Sequence, residues 1–429
     1  MYDLIIVGAG PAGYEAALYA SKLGKQVLVI EKNKIGGTCL NYGCIPTKSL
    51  LFQTNKIKEI NNSKAYGISV DNYTYNYETI LQNKDKTVNR LVKGIEFLFK
   101  KNNVNIVFGV ASLVNQNQIK VNDEIFESKN ILICVGSTVT KLNIPGFENS
   151  ISSKEFLDLD LSKFKNVVIV GGGVIGVEIA TILNNLGIKV VILEAKDQLI
   201  PTFENEVATR LKKQLNRLGI KVYLNSFVNK IEKNCVYTSD DSYPCDFVLT
   251  SVGRSPNTNG LDPQNLLIKD RGFIEINEKF QTNLENIYAV GDCVKGIQLA
   301  HYASACAINV VKYLFENDKR FNINNVPKCI YTGEEISVVG KEQNESDIVL
   351  KTDLIANPKA VVEDHNKGFI KLIFTKEGLF KGAVLMCKKS SDMINIFVNA
   401  LNRGATIEDF KHDIYPHPSY SESILALFD

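Results

Sequence analysis

Two cysteines separated by four residues can close a disulfide, and Cys39 and Cys44 have this spacing in GGTCLNYGCIPTKSLL (36–51). On a regular helix, positions i and i+5 lie about 8–9 Å apart at Cα, too far for an unstrained bridge. The chain must therefore bend between them, and Gly43 and Pro46 are residue types that permit a bend. A bridge closed under such constraint is easily reduced, so the pair reads as redox chemistry rather than a structural staple. The other seven of the nine Cys (134, 235, 245, 293, 306, 329 and 387) are scattered singly and read as small buried hydrophobes. No second Cys or His pair has zinc-ligand spacing, so no metal is expected. Exchange between thiols and disulfides also needs a base to generate thiolate. One of only four His, His417, stands five residues before Glu422 in HPSYSE. A His beside Pro is commonly structural, yet a His oriented by a carboxylate suits this chemistry.

The dithiol follows a stretch that reads as a nucleotide-binding unit. DLIIVGAGPAGYEAALYASKLGKQVLVIEK (3–32) is an apolar strand, a glycine turn, a helix, a second strand and a terminal acid. NVVIVGGGVIGVEIATILNNLGIKVVILEA (166–195) repeats the pattern. The first fingerprint is Gly8, Gly10 and Gly13 with Glu31; the second is Gly171, Gly173 and Gly176 with Glu194. In such a turn the first glycine makes the bend, the second admits a pyrophosphate and the third lets helix pack on strand. The helix N-terminus provides the anion site, and the acid accepts from a ribose diol. The chain thus carries two dinucleotide-binding units.

Further strands end in glycine or acid. NILICVGS (130–137) ends at Gly136, FVLTSVGRSPN (247–257) repeats that turn with Gly253, and NIYAVGDC (286–293) ends at Asp292. The segment 84–101 has helical spacing of Val88, Leu91, Ile95 and Leu98. From Val326 onward the pattern changes to strands followed by helices at about 390–403 and 406–411, an α+β region without a nucleotide motif.

Composition bounds the rest. A chain of 429 residues has room for about three domains. A formal net charge of +2 makes no case for nucleic acid or an anionic membrane. The longest apolar run, 167–183, holds four glycines and Glu178 and reads as strand, turn and helix rather than a membrane span. A strand beginning at about residue 3 leaves no room for a leader, and the odd Cys count argues against a disulfide framework; a cytoplasmic protein is expected.

Taken together, GAGPAG, GGTCLNYGCIPTK, GGGVIGVE, VGRSPN, TNLENIYAVGD followed by LAH, and the terminal HPSYSE make the chain resemble the pyridine nucleotide–disulfide oxidoreductases over nearly its whole length. Within that family it is most similar to members that oxidise protein-bound dihydrolipoamide with NAD. The resemblance implies an α/β fold of two Rossmann-like domains, for FAD and NAD, plus a C-terminal α+β dimerisation domain. The implied limits are 1–146 for the FAD domain with its redox disulfide, 147–262 for the NAD domain, 263–325 for a central segment completing the FAD domain, and 326–429 for the interface domain. FAD would lie on the first unit with Glu31 on its ribose, and Asp292 on the ribityl or pyrophosphate portion. Lys48 and Glu178 would pair beside the flavin, and Gly136 and Gly253 would line the cofactor sites. Cys39 would exchange with substrate, Cys44 would face the flavin, and His417 with Glu422 would supply the acid–base step. The implied partners are a second copy of the chain and the lipoyl domain of a 2-oxo acid dehydrogenase, acetoin or glycine cleavage complex. The chain departs from the family at Cys134, at YASACAINVV, and at Tyr415 and Tyr420.

Two rivals remain at this level. One is an NADPH-dependent reductase of glutathione, mercuric ion or another disulfide. The chain ends LALFD without a further Cys pair, and Glu194 would repel the extra phosphate of NADP, with no arginine cluster among Ala195, Lys196 and Asp197 to bind it. The other is a non-catalytic FAD-bearing scaffold, which would need none of Cys39, Cys44, His417 and Glu422. The acid at 194 predicts a kcat/KM for NADH well above that for NADPH in steady-state assays; equal or inverted values would overturn the NAD assignment.

Overall fold

The computed structural model describes residues 1–261, 266 and 268–428, which form two compact units. The larger comprises 1–195 and 219–321, the smaller 196–218 and 322–429. The expected boundary between residues 262 and 263 lies outside the described residues. None of the described helices is long and apolar enough to cross a membrane.

The larger unit holds a seven-stranded sheet with a parallel core and a five-stranded sheet that is wholly parallel. In the first, β1 (Tyr2–Val7) pairs in parallel with β2 (Val27–Glu31) on one side and with the strand Glu124–Ile133 on the other. Ile287–Ala289 extends this parallel core beyond Glu124–Ile133, and Asn105–Phe108 extends it beyond β2. All of β2 and the last four residues of β1 are buried, as expected for a sheet covered on both faces. Helix α1 (Pro11–Lys22) makes the crossover from β1 to β2 and turns Ala12, Ala16, Ala17 and Ala20 inward, a small-residue face that allows close packing. The order β2–β1–(124–133) places β1 at a switch point, where crossovers leave to opposite sides.

The second sheet repeats this plan. Its five strands run Lys221–Tyr223, Lys189–Leu193, Asn166–Val170, Phe247–Thr250 and Ser150–Ser152, all parallel. The echo extends to single atoms. The Gly8 amide donates to Ile30 O, and the Gly171 amide to Leu193 O. The Cys134 amide donates to Val7 O, and the Ser251 amide to Val170 O.

Close approach fixes the first glycines. Gly8 (φ +104°) and Gly171 (φ +106°) lie in the left-handed region. A Cβ on them would sit 2.4 Å from Cys134 O and 2.6 Å from Ser251 O respectively.

After β2 comes a helix that the sequence breaks in two. Helix α2 (Gly37–Tyr42) stops at Gly43, whose φ of −145° and ψ of −112° are not helical, and α3 (Cys44–Asn62) starts at once. This is the bend that the cysteine spacing demands. Pro46 lies in the first turn of α3, where its missing N–H costs no helical hydrogen bond.

The smaller unit is an antiparallel sheet in the order Lys328–Ile330, Ile336–Gly340, Phe380–Met386, Phe369–Phe374, Ile348–Asp353. Helix Ser390–Arg403 covers it through Met393, Ile394, Phe397 and Ala400, and Ile407–Lys411 begins with a Thr406–Asp409 capping box. Phe374, Phe380 and Phe410 meet edge to face at centroid separations of 4.9–5.8 Å in its core. Helix Asn205–Arg217, which the sequence places within the second nucleotide domain, packs in this unit. Its buried Val207, Leu211 and Leu215 form an apolar stripe, and Lys371, only 3% exposed, pairs with Glu204 at 2.5 Å beside its start.

The carbonyl facing Gly171 makes that position intolerant. Gly171→Ala is expected to cost about 2–4 kcal/mol, combining strain at positive φ with a buried clash. A lower midpoint for thermal unfolding of the larger unit is the expected result; an unchanged midpoint would contradict the close approach.

Candidate active site

Parallel strands expose their carboxyl ends at one edge of each sheet, and the candidate residues collect there. On the first sheet, Gly8–Gly13 follow β1, Glu31 ends β2, Gly136 follows Glu124–Ile133, and Asp292 follows Ile287–Ala289. On the second, Gly171–Gly176 follow Asn166–Val170, Glu194 follows Lys189–Leu193, and Gly253 follows Phe247–Thr250. Ligands of open α/β sheets bind at this edge.

Each acid braces its glycine turn. Glu31 Oε2 accepts from the Ala9 amide at 2.7 Å, and Glu194 Oε2 from the Gly172 amide at 2.6 Å. Glu31 Oε1 also accepts from the Asn33 amide at 2.8 Å. A carboxylate has about four lone-pair sites, so capacity remains for the hydroxyls of a ribose.

The turns fit a dinucleotide pyrophosphate. Gly10 and Gly173 are the N-caps of α1 and of helix Val174–Asn185, with no side-chain cap and no acid in the first turn of either helix. A Cβ on Gly10 would come no closer than 3.9 Å to Gly37, and one on Gly173 would meet nothing within 4 Å. The third glycines differ, since a Cβ on Gly13 or Gly176 would strike the Gly8 or Gly171 carbonyl at 1.8 or 2.2 Å. The first and third glycines therefore serve the protein's own packing. The second keeps open the space before a helix N-terminus, where backbone N–H groups favour an anion.

The dithiol stands at the break between α2 and α3. Cys39 and Cys44 approach to near 3.1 Å, and both are free thiols. Cys44 is exposed; Cys39 is half-buried. Cys44 is the first residue of α3, so the helix N-terminus favours its thiolate. A hydrogen bond from Cys39 and the Lys48 ammonium one turn on outweigh burial and lower its pKa to about 7. The same hydrogen bond, with burial, pushes the Cys39 thiol well above its usual range. The two sulfurs are thereby made unequal.

Lys48 Nζ lies 3.0 and 2.8 Å from the two Glu178 oxygens. Glu178 is 3% exposed and Lys48 half-buried, so this ion pair joins α3 to helix Val174–Asn185 in a shielded place.

Asp292 accepts from Ser137 Oγ at 2.5 Å. Arg254 donates through Nε to Ser137 Oγ and through Nη2 to Ser137 O, both at 2.7 Å, and its Nε lies 3.8 Å from Asp292 Oδ2. Burial lowers the Arg254 pKa, with Asp292 opposing. The strand Arg254–Pro256 thus leaves Gly253 and pairs with Ser137–Val139, which leaves Gly136. Ser137 was not singled out from the sequence, although the repeated strand-to-glycine pattern marks its neighbourhood.

In the smaller unit, His417 Nδ1 lies 2.7 Å from Glu422 Oε2, and the Ser419 amide donates to Oε1 at 2.9 Å. Burial raises the Glu422 pKa, but the Ser419 amide and His417 outweigh it, so the carboxyl is held below its usual range. An ionised carboxylate only accepts, so Nδ1 carries the proton and Nε2 is left as the basic nitrogen. The His417 side chain is 70% exposed. Asn357, buried, donates to Ser419 O at 2.9 Å and to Ser423 Oγ at 2.7 Å, and Tyr420 donates to Glu363 at 3.1 Å. These contacts fix the loop, and Asn357 gives no local sequence signal because its partners lie about sixty residues on.

The remaining thiols are mixed in exposure. Cys134, Cys245, Cys293, Cys306 and Cys387 are buried, whereas Cys235 and Cys329 are half-exposed. Among the described residues, no cluster of three or more His, Cys, Asp or Glu could hold a metal.

Two dinucleotide turns and a polarised dithiol define a two-electron relay between nucleotides and a disulfide. Residues 2–307 match the family described as pyridine nucleotide-disulphide oxidoreductase, and 326–427 match its dimerisation domain. The dihydrolipoyl dehydrogenase of Mycoplasma pneumoniae is 35% identical, covering 100% of this chain and 99% of that protein. That of Bacillus subtilis is 33% identical, covering 98% and 94%. Among solved structures, the HOCl-induced flavoprotein disulfide reductase RclA from Escherichia coli has a TM-score of 0.89 at 28% identity, covering 100% of this chain and 99% of that one. The chain belongs to the class I pyridine nucleotide–disulphide oxidoreductases, flavoenzymes that use FAD and NAD(H).

The different surroundings of the glycines separate folding from binding. Gly173 has an extended backbone of negative φ that any residue adopts, and a Cβ there meets open space, so Gly173→Ala should melt within about 2 °C of the parent, an effect below about 0.5 kcal/mol. Its KM for NAD should rise at least about tenfold, because the methyl group occupies the pyrophosphate approach. Unchanged NAD binding in a folded Gly173→Ala protein would remove the second turn from the site.

Proposed function

We propose that this chain is a homodimeric dihydrolipoyl dehydrogenase that oxidises protein-bound dihydrolipoamide to lipoamide and reduces NAD. The carrying observation is the approach of Cys39 to Cys44 across the Gly43 break, with Lys48 and Glu178 beside the second thiol. The two curated relatives named above support the substrate.

The chain's own groups account for the exchange. His417 Nε2 takes the proton of one substrate thiol, and the thiolate attacks Cys39 Sγ of the oxidised pair. The Cys39–Cys44 bond breaks, and its electron pair leaves on Cys44. Leaving is favoured because Cys44 forms a stable thiolate, with its pKa lowered to about 7. As the second substrate sulfur attacks the mixed disulfide and lipoamide departs, the proton already held by His417 passes to Cys39 and the second thiol proton takes its place on His417, leaving a Cys39 thiol, a Cys44 thiolate and a protonated imidazole. Glu422 keeps the imidazole oriented and offsets its positive charge. Two electrons thus pass from substrate to the Cys39–Cys44 pair. Bound FAD and NAD supply the acceptor chemistry that restores the disulfide.

FAD is held by the turn at Gly8, Gly10 and Gly13 with Glu31, Gly136 and Asp292. NAD is held by the turn at Gly171, Gly173 and Gly176 with Glu194 and Gly253. The dimerisation match over 326–427 supports a two-fold pairing in which His417 and Glu422 serve the partner's disulfide. On this reading the lipoyl domain of a 2-oxo acid dehydrogenase, acetoin or glycine cleavage complex brings the substrate, and the enzyme works in the cytoplasm. The domain limits remain those of the resemblance, 1–146, 147–262, 263–325 and 326–429.

A second reading is a reductase that runs electrons from nucleotide to another disulfide, favoured by the likeness to the flavoprotein disulfide reductase RclA. Assays in both directions with dihydrolipoamide, glutathione disulfide and each nicotinamide nucleotide separate the two.

Subunit exchange tests the shared site. Cys44→Ser and His417→Ala homodimers should each retain flavin yet lose turnover by about 100-fold or more. Mixing them should restore activity, because one site of each mixed dimer is then intact. Verified exchange without recovery would show that the base acts within its own chain, and full turnover in Cys44→Ser would sink the dithiol mechanism.

A further inference from the structure

The helix that begins with Cys44 is fastened to helix Val174–Asn185 at two places. One is the Lys48–Glu178 ion pair. The other lies two turns further along both helices, where Asn185 Nδ2 donates to Asn55 Oδ1 at 2.8 Å and to Thr54 Oγ1 at 3.3 Å. Both the Lys48–Glu178 and the Asn55–Asn185 pairs span 130 residues. The helices therefore run in the same direction with a constant offset.

The second fastening is buried and polar. Thr54 is fully buried and Asn185 is 4% exposed. Asn185 Oδ1 is buried without a hydrogen-bond partner. An unsatisfied buried carbonyl is costly, whereas an apolar pair of similar shape avoids that cost. Stability alone gives no reason for an asparagine here. A directional bond, unlike apolar contact, fixes register: two facing apolar helices can slide, but an amide bonded to two named acceptors cannot.

We propose that Asn185, through Thr54 and Asn55, is a positioning residue that locks the dithiol helix in register with the nicotinamide-side helix and thereby holds Lys48 on Glu178. This rests on the functional reading above, since the register matters only if Cys44 relays electrons toward a nucleotide on the second turn. Asn185 touches no reacting atom. Its action passes through Lys48 and Glu178, four residues from Cys44 and two from Gly176.

The test uses the flavin-loaded enzyme with Thr54→Val/Asn185→Leu, and Asn55→Ala as a milder change at a half-exposed position. Three readouts are taken: melting temperature, steady-state kinetics, and acetylation of Lys48 by acetic anhydride measured by mass spectrometry. An amine held and covered by a carboxylate at 2.8–3.0 Å reacts slowly, and a released one reacts faster. In both variants Lys48 should acetylate severalfold faster and kcat should fall severalfold, with the KM values for NAD and dihydrolipoamide little changed. The double variant should not melt below the parent. In a Glu178→Gln background, Asn55→Ala should lower kcat no further, because the contact it protects is already gone. Parent-like Lys48 acetylation in Asn55→Ala, or an equal further loss of kcat in the Glu178→Gln background, would overturn the proposal. If the double variant unfolds, Asn55→Ala decides alone. The functional reading fails separately: the parent enzyme would then show no dihydrolipoamide turnover that depends on Cys44.

Discussion

The helix break at Gly43 is the constraint on which the dithiol depends. A continuous helix would hold Cys39 and Cys44 apart, and a looser loop would leave Cys44 without a helix N-terminus. Two helices meeting at one non-helical residue satisfy both needs. Cys39 approaches Cys44, while Cys44 gains the first amides of α3 and the ammonium of Lys48 one turn on. The inequality of the two thiols follows from this placement. The sulfur at the helix end is the better leaving group, and its neighbour is held as a thiol by donating to it.

The surrounding frame is one device used twice. In each parallel sheet a glycine of positive φ presses against the carbonyl of the neighbouring strand's end, and an acid from the next strand braces the turn. The crowding makes the turn rigid, and the missing side chain at the second glycine keeps the anion site open. Helix α3 connects the two copies through Lys48 and Glu178, so the dithiol is attached to both nucleotide turns. The Arg254–Ser137–Asp292 chain of hydrogen bonds provides a second connection where the backbone passes from one sheet to the other.

The smaller unit solves a different problem. The terminal loop that carries His417 needs external support, and Asn357 and Glu363 provide it by holding Ser419, Ser423 and Tyr420. Beneath the loop, clustered phenylalanines and a buried Lys371 give the sheet a rigid core. The ion pair with Glu204 ties this sheet to the start of helix Asn205–Arg217. Burying Lys371 without a partner would be costly.

What the sequence determined by itself was local chemistry with fixed spacing. The glycine turns, the acids at strand ends, the helix break between Cys39 and Cys44, and the helices near 390–403 and 406–411 each follow from a few neighbouring residues and steric rules. His417 and Glu422 could be read as a dyad because HPSYSE resembles the family's terminal segment and thiol exchange needs a base. Tertiary structure alone decided the contacts between distant segments. Lys48 meets Glu178, Arg254 reaches Ser137, Asn185 bonds Thr54 and Asn55, and Lys371 meets Glu204. No local period encodes these, since each depends on two surfaces brought together by the fold, and a lysine, arginine or asparagine reads on its own as a solvated side chain. The polarity of the thiols belongs to both levels: spacing made the pair, and the charge and helix end beside Cys44 made its two members different.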